Sequence, residues 1–149
     1  MAGAEIRLTI DDRELRARLL ALQSKLADPS PAMAEIAELM LNGVHDRFDS
    51  ETAPDGGRWK ALSAATIARR GGRATILRER GRLIGSIHPA SDRSSARVGT
   101  NLVYGAIHQF GGEAGRGHAT TIPARPYLGF SGGDLDRIAD ILQDWTEIT

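Results

Sequence analysis

The chain has no cysteine. Disulfides and thiolate-held metals are therefore excluded as sources of stability or chemistry. No stretch approaches the ~18 consecutive apolar residues that a membrane-crossing helix needs. Met1 to Ile10 also lacks the basic-then-apolar pattern of a signal peptide. No membrane partner is expected. Charge of one sign is not in excess either, with 19 Lys plus Arg against 19 Asp plus Glu. A dedicated DNA-binding domain usually carries a basic surplus, because phosphate neutralisation supplies much of its affinity. Lysine itself is nearly missing, Lys25 and Lys60 being the two. Such a bias follows from a GC-rich coding genome. It also suits protein–protein contacts, where the planar arginine fork pairs with carboxylates.

What is present is 149 residues, enough to bury a core as one domain over 1–149. Glu5 to Ile10 alternates polar and apolar residues, which predicts a short half-buried strand. Leu15, Leu19, Leu22 and Leu26 follow at helical spacing, with Asp11 or Asp12 as cap. Asp28-Pro29-Ser30-Pro31 breaks that helix and starts another to about Ser50, with Ser30 as N-cap. Its stripe is Met33, Ile36, Ala37, Met40, Val44 and Phe48. The two helices should form a hairpin.

Beyond Glu51 the texture changes to turn formers ending in Trp59, with a short helix from Ser63, its candidate cap, to about Arg70. Leu83–His88 and Ser95–Thr100 read as a β-hairpin closed by Ser91–Ser94. Val103 to Phe110 reads as a helical turn ended by Gly111-Gly112. Glu113–His118 reads as a flexible loop and Ala119–Ile122 as a strand. A last helix, capped by Asp134, carries Leu135, Ile138, Leu142 and Trp145. The expected class is α+β: an N-terminal helical hairpin packed on a small, mainly antiparallel sheet, with a C-terminal helix.

Signals of catalysis are sparse. His45, His88, His108 and His118 show no His-x-x-x-His pairing, and no nucleophile elbow or Walker loop occurs. The glycine-rich run Gly111 to Gly117 lacks the Lys-Ser/Thr ending of a phosphate loop. No catalytic residue, cofactor or metal is assigned, and the chain is not expected to be an enzyme.

Four clusters exceed what a generic fold requires: Phe48…Pro54-Asp55-Gly56-Gly57-Arg58-Trp59, Ile76-Leu77…Gly81-Arg82-Leu83…Ser86-Ile87, Val98-Gly99-Thr100-Asn101…Tyr104-Gly105-Ala106-Ile107-His108-Gln109-Phe110-Gly111-Gly112, and Ile122-Pro123-Ala124-Arg125-Pro126-Tyr127-Leu128-Gly129. In this order they resemble the phage virion morphogenesis family, which contains the tail-completion proteins of Mu-like and related tailed phages. The resemblance runs from about Met33 to Trp145 and is strongest from Val98 to Gly129. The chain departs from the family pattern at Arg80, where Thr is frequent, and at Gly105, where Ala is frequent.

The resemblance implies a structural protein that completes the tail and supports head–tail joining by ring-like self-assembly. Its implied partners are further copies of itself and other tail and neck proteins. Its implied location is the virion, with assembly in the host cytoplasm. The alternative is a neck or connector component that contacts DNA non-specifically.

The residues suggest where such contacts lie. Two prolines stiffen the segment around Arg125, lowering the entropy cost of docking, so Arg125 and Tyr127 are candidate interface residues. Against this stands a rigid turn entering a strand, with Arg125 solvated. Tyr104, His108 and Phe110 are candidates for one aromatic interface cluster, with His108 hydrogen-bonded to fix the Gly111-Gly112 turn. Arg69, Arg70, Arg73, Arg78, Arg80 and Arg82 make a locally basic segment in a neutral chain. It reads as a solvated face, then as a contact for acidic neighbours, and thirdly as the lining of a DNA passage.

Overall fold

The computed structural model describes residues 13–147, so the strand expected at Glu5–Ile10 lies outside the described residues. Helix α1 (Arg13–Ala27) follows the leucine stripe and packs on the last helix, α6 (Gly132–Thr146). Lys25 fastens this contact. Its ammonium lies 5.6 Å from the centre of the Trp145 ring and donates to the Glu147 carbonyl at 2.7 Å.

Helix α2 (Ser30–Ser50) is the axis of the molecule, packing on α6 and on a β-hairpin. The N-cap position is Pro29, not the expected Ser30, and no side chain caps this end. The Ser30 hydroxyl donates instead to Asp28 at 2.5 Å, a local bond that competes with capping. Ala32, Ile36, Ala37, Val44 and Phe48 are buried along one face. The helix stops where Glu51 enters the left-handed region at φ 55°.

Ser63 caps the short α3 (Ala64–Arg69) by accepting from the Thr66 amide at 3.2 Å, as the sequence predicts. The β-hairpin is present but displaced. Leu83 to Gly85, expected as strand, belongs to a single helical turn, α4 (Arg82–Gly85), and pairing begins at His88. Strand β1 (His88–Ser91) pairs antiparallel with β2 (Ala96–Gly99). The reason is spacing: Leu83 and Ile87 are four apart, and a turn of helix places both in the core, where each is at most 4% exposed. Asp92 closes the hairpin by accepting from the amides of Ser94 and Ser95 at 2.8 Å.

Helix α5 (Gly105–Phe110) ends at Gly111 and leads into a second antiparallel pair, β3 (Gly112–Ala114) with β4 (Thr120–Ile122). The expected loop at Glu113–His118 is thus half strand and half a 3-10 turn (Arg116–His118). Helix α6 is capped by Ser131, with Asp134 completing a capping box; Asp134 is not itself the cap. The class is α+β as expected, with the β structure among the described residues divided between two two-stranded sheets.

The core gathers Val44, Phe48, Trp59, Ile76, Leu83, Ile87 and Tyr127. Phe48 meets Trp59 edge-on at 5.4 Å and Tyr127 at 5.7 Å. Such pairs add about 0.5–1.5 kcal/mol beyond the area they bury. Phe48→Ala should therefore lower unfolding free energy by about 3–5 kcal/mol. Urea denaturation would read this, and a loss below about 1 kcal/mol would show that the core does not turn on Phe48.

Candidate functional site

Among the described residues, the segment Pro123–Gly129 pairs with no strand. Proline removes two of its amide donors, so a regular ladder is unavailable. Side chains take over. Gln109 accepts from the amides of Tyr127 and Leu128 at 3.0 and 2.9 Å and donates to the Leu128 carbonyl at 3.0 Å. Trp59 donates from its indole nitrogen to the Pro126 carbonyl at 2.8 Å. From α2, Arg47 donates to the carbonyls of Tyr127 and Gly129 at 2.8 and 3.0 Å. Arg47 also contacts Asp134 of α6 at 3.3 Å, with both side chains 7% exposed.

Arg125 and Tyr127 were expected to project outward, and the structure corrects this. In an extended segment they share one face, and that face is turned inward. Arg125 is 7% exposed and Tyr127 1%. The Arg125 guanidinium donates to the carbonyls of Lys60 and Ala61 at 2.8 and 3.2 Å. The Tyr127 hydroxyl donates to the Gly105 carbonyl at 2.7 Å. Burial pushes the Tyr127 phenol above its ordinary range and lowers Arg125, which Arg70 lowers further.

Two glycines permit this close packing. Gly111 sits at φ 74°, and a Cβ there would lie 2.8 Å from the Ala124 amide nitrogen. At Gly105 a Cβ would meet the Thr100 methyl at 2.5 Å and the Tyr127 hydroxyl at 3.0 Å. Thr100 cannot easily turn away, because its hydroxyl is bonded to Ser86 at 2.6 Å and accepts from the Leu102 amide.

The expected aromatic cluster is only partly assembled. Tyr104 and His108 contact edge-on at 6.0 Å, one helical turn apart. Phe110 lies outside that pair and is 78% exposed, like the 97% exposed Val103. The His108 imidazole does not fix the Gly111-Gly112 turn: its Nδ1 is buried without a hydrogen-bond partner. It is the His108 carbonyl that accepts, from the Arg125 amide at 2.8 Å.

The basic segment is not uniformly free. Arg69 and Arg70 each lie 3.6 Å from Glu79, and Arg78 pairs with Asp49 at 2.7 Å. Arg73 donates to the Arg70 carbonyl at 3.3 Å. Arg80 and Arg82 are exposed and form no ion pair among the described residues. Arg70, Arg80 and Arg82 share a cleft of about 200 Å³ with Tyr104 and His108. Among the described residues there is no group of three or more His, Asp or Glu placed to hold a metal, and no helix long and apolar enough to cross a membrane.

Sequence reasoning gave no role to Gln109, Arg47 or Asp134 in holding the segment. The signal for Arg47 was present: it stands three residues after Val44 and one before Phe48, inside the buried stripe of α2. A cation in that position needs a buried partner.

Arg47→Met should cost about 3–5 kcal/mol, since it strands the Asp134 carboxylate and leaves two carbonyls without that donor. A denaturation midpoint unchanged from the parent would disprove the clamp. A second prediction concerns pH. Burial, then repulsion from Arg125, holds His108 below its ordinary value of 6.5. The unfolded chain therefore takes up a proton that the native chain resists. The His108 contribution is present above pH 6.5 and lost as pH falls toward the native value. His108→Gln should flatten that part of the stability–pH curve, and an unaltered curve would place the titration elsewhere.

The family model described as the phage virion morphogenesis family matches residues 10–147. The chain is 37% identical over 136 residues to "Mu-like prophage FluMu G protein 2" of Haemophilus influenzae, covering 91% of each chain. It is 30% identical over 114 residues to "Putative capsid assembly protein G" of Escherichia phage Mu, covering 72% of this chain and 73% of the relative. No solved structure matches. With the match spanning nearly every residue whose packing is described above, this chain belongs to the phage virion morphogenesis family.

Proposed function

We propose that this protein completes the phage tail and supports its joining to the head, assembling with further copies of itself as a ring. The family match over residues 10–147 carries the reading. A part in building the particle is common to the family description and to the name of the phage Mu relative. The part of the reading that concerns contacts between proteins draws on two features. The candidate site is built to hold backbone, with Gln109, Trp59 and Arg47 all engaged on the chain's own carbonyls. Phe110 and Val103 are the most exposed of several large apolar side chains at the surface. A rigid frame with exposed aromatic and arginine side chains suits association with other proteins.

In this reading the subunit contacts use Phe110 and Tyr104, not Arg125 and Tyr127. Other tail and neck proteins are the remaining partners, and the protein is carried in the virion after assembly in the host cytoplasm. Contact with DNA as a neck component is the second reading, favoured by Arg80 and Arg82, which form no ion pair among the described residues. It is weakened by the pairing of Arg69, Arg70 and Arg78 with acidic residues.

Deleting the gene from an inducible phage genome, then viewing lysates by electron microscopy, tests the proposal. Filled heads and separate, unjoined tails are expected. Absent or malformed heads beside normal tails would overturn it in favour of a role in capsid assembly. Phe110→Asp should leave the thermal unfolding midpoint within about 2 °C, since the ring is exposed, yet reduce infectious particles at least tenfold. Normal titres would remove Phe110 from the contact.

A further inference from the structure

Two residues that line the cleft beside α5, Arg70 and His108, each carry a polar atom that the chain does not satisfy. Arg70 Nε and His108 Nδ1 are both shut from solvent without a hydrogen-bond partner. Arg70 is otherwise engaged, donating from one terminal nitrogen to the Thr75 carbonyl at 2.8 Å. Its other terminal nitrogen lies 3.6 Å from Glu79, too far for a hydrogen bond. Glu79 is shared with Arg69 at the same distance. Arg80 and Arg82 stand at the rim without ion pairs among the described residues. Three arginines against one carboxylate leave the cleft with surplus positive charge.

Formal net charge is zero, so the balancing carboxylates lie elsewhere. Asp136, Asp140 and Asp144 follow one another at spacings of four on α6 and are exposed. That spacing sets them along one face of the helix. None forms an ion pair among the described residues, the acidic partner on this helix being Asp134. Helix α6 packs on α1 and α2, whereas the cleft is lined from the Arg70 end of α3, from α4 and from α5. The two charge patches thus sit on different elements.

We propose that the cleft is a carboxylate socket for a second copy of this chain, receiving the Asp136, Asp140 and Asp144 face of that copy's α6. The proposal rests on the ring reading above and names the contact that would build it. A patch that meets a different patch on its neighbour is a heterologous contact, the kind that closes into rings when its rotation allows. Carboxylates entering the cleft accept from the exposed guanidinium groups of Arg80 and Arg82 through charge-assisted bonds. A cleft of about 200 Å³ with Glu79 in its wall suits individual side chains better than a continuous phosphate backbone.

Charge reversal tests this on the full chain, with self-association measured by light scattering and crosslinking. The unchanged chain should assemble and should dissociate as salt rises. Arg80→Glu with Arg82→Glu, and separately Asp140→Arg with Asp144→Arg, should each weaken self-association at least tenfold while thermal melts stay near the parent's. Mixing the two variants should restore assembly, because each then offers the other a complementary face. Assembly by both variants alone would overturn the contact and leave the ring reading standing. Loss in the arginine variant only would overturn the α6 face as the occupant and place another surface of the same chain in the socket. Retention of duplex DNA by the parent but not by the arginine variant, with self-association equal in the two, would assign it to nucleic acid. Failure of the unchanged chain to assemble at any salt would overturn both the contact and the ring.

Discussion

Between Pro126 and Gly129 the backbone runs through the protein with side chains, not a neighbouring strand, as its hydrogen-bonding partners. Everything nearby is arranged around that constraint. Gln109 can reach the segment because α5 ends sharply at Gly111, and Arg47 because it lies on the buried face of α2. Trp59 serves twice, packing on Phe48 and donating to the Pro126 carbonyl. A buried amide or carbonyl left unpaired costs about 1–3 kcal/mol, so these three residues have few acceptable replacements. The ion pair with Asp134 ties the same arrangement to α6, where Asp134 also completes the capping box.

This division of labour separates frame from surface. Residues whose types suggest contact with partners, Arg125 and Tyr127, are used internally. Other contact candidates, Phe110, Arg80 and Arg82, remain outside, as does Val103. A protein of particle assembly needs such a frame, because contacts between copies are specific only if the presenting surface is held in one shape.

Much of the frame was legible from residue order. The helical stripe of α2, the Ser63 cap, the turn at Gly111 and the overall α+β class follow from spacing and turn chemistry. Leu83–Gly85 was misread because apolar residues two or four apart satisfy both strand and helix periods over so short a run. The stiffness of Pro123–Pro126 was visible, but its direction was not. Alternation says that Arg125 and Tyr127 share a face without saying which way it looks, and arginine is usually exposed. Gln109 went without a role for a related reason. An amide's value as a bridge depends on two backbone groups 18 and 19 residues away, and no local pattern announces them. His108 shows the reverse, a residue expected to hydrogen-bond through its ring and found contributing only its carbonyl.

The clamped segment also bears on the order in which the chain can fold. The two hairpins pair residues close in sequence, and their closure needs only short loops. The bonds from Arg47 and Trp59 instead join residues 80 and 67 positions apart. Loop-closure entropy must be met before those bonds return anything. Helix α2 and the Trp59 turn therefore have to wait for the ribosome to deliver Tyr127, and the core aromatic trio cannot lock until it arrives. The segment that looked like an arm reaching toward a neighbour is a stitch in the protein's own closure, made before α6 completes it.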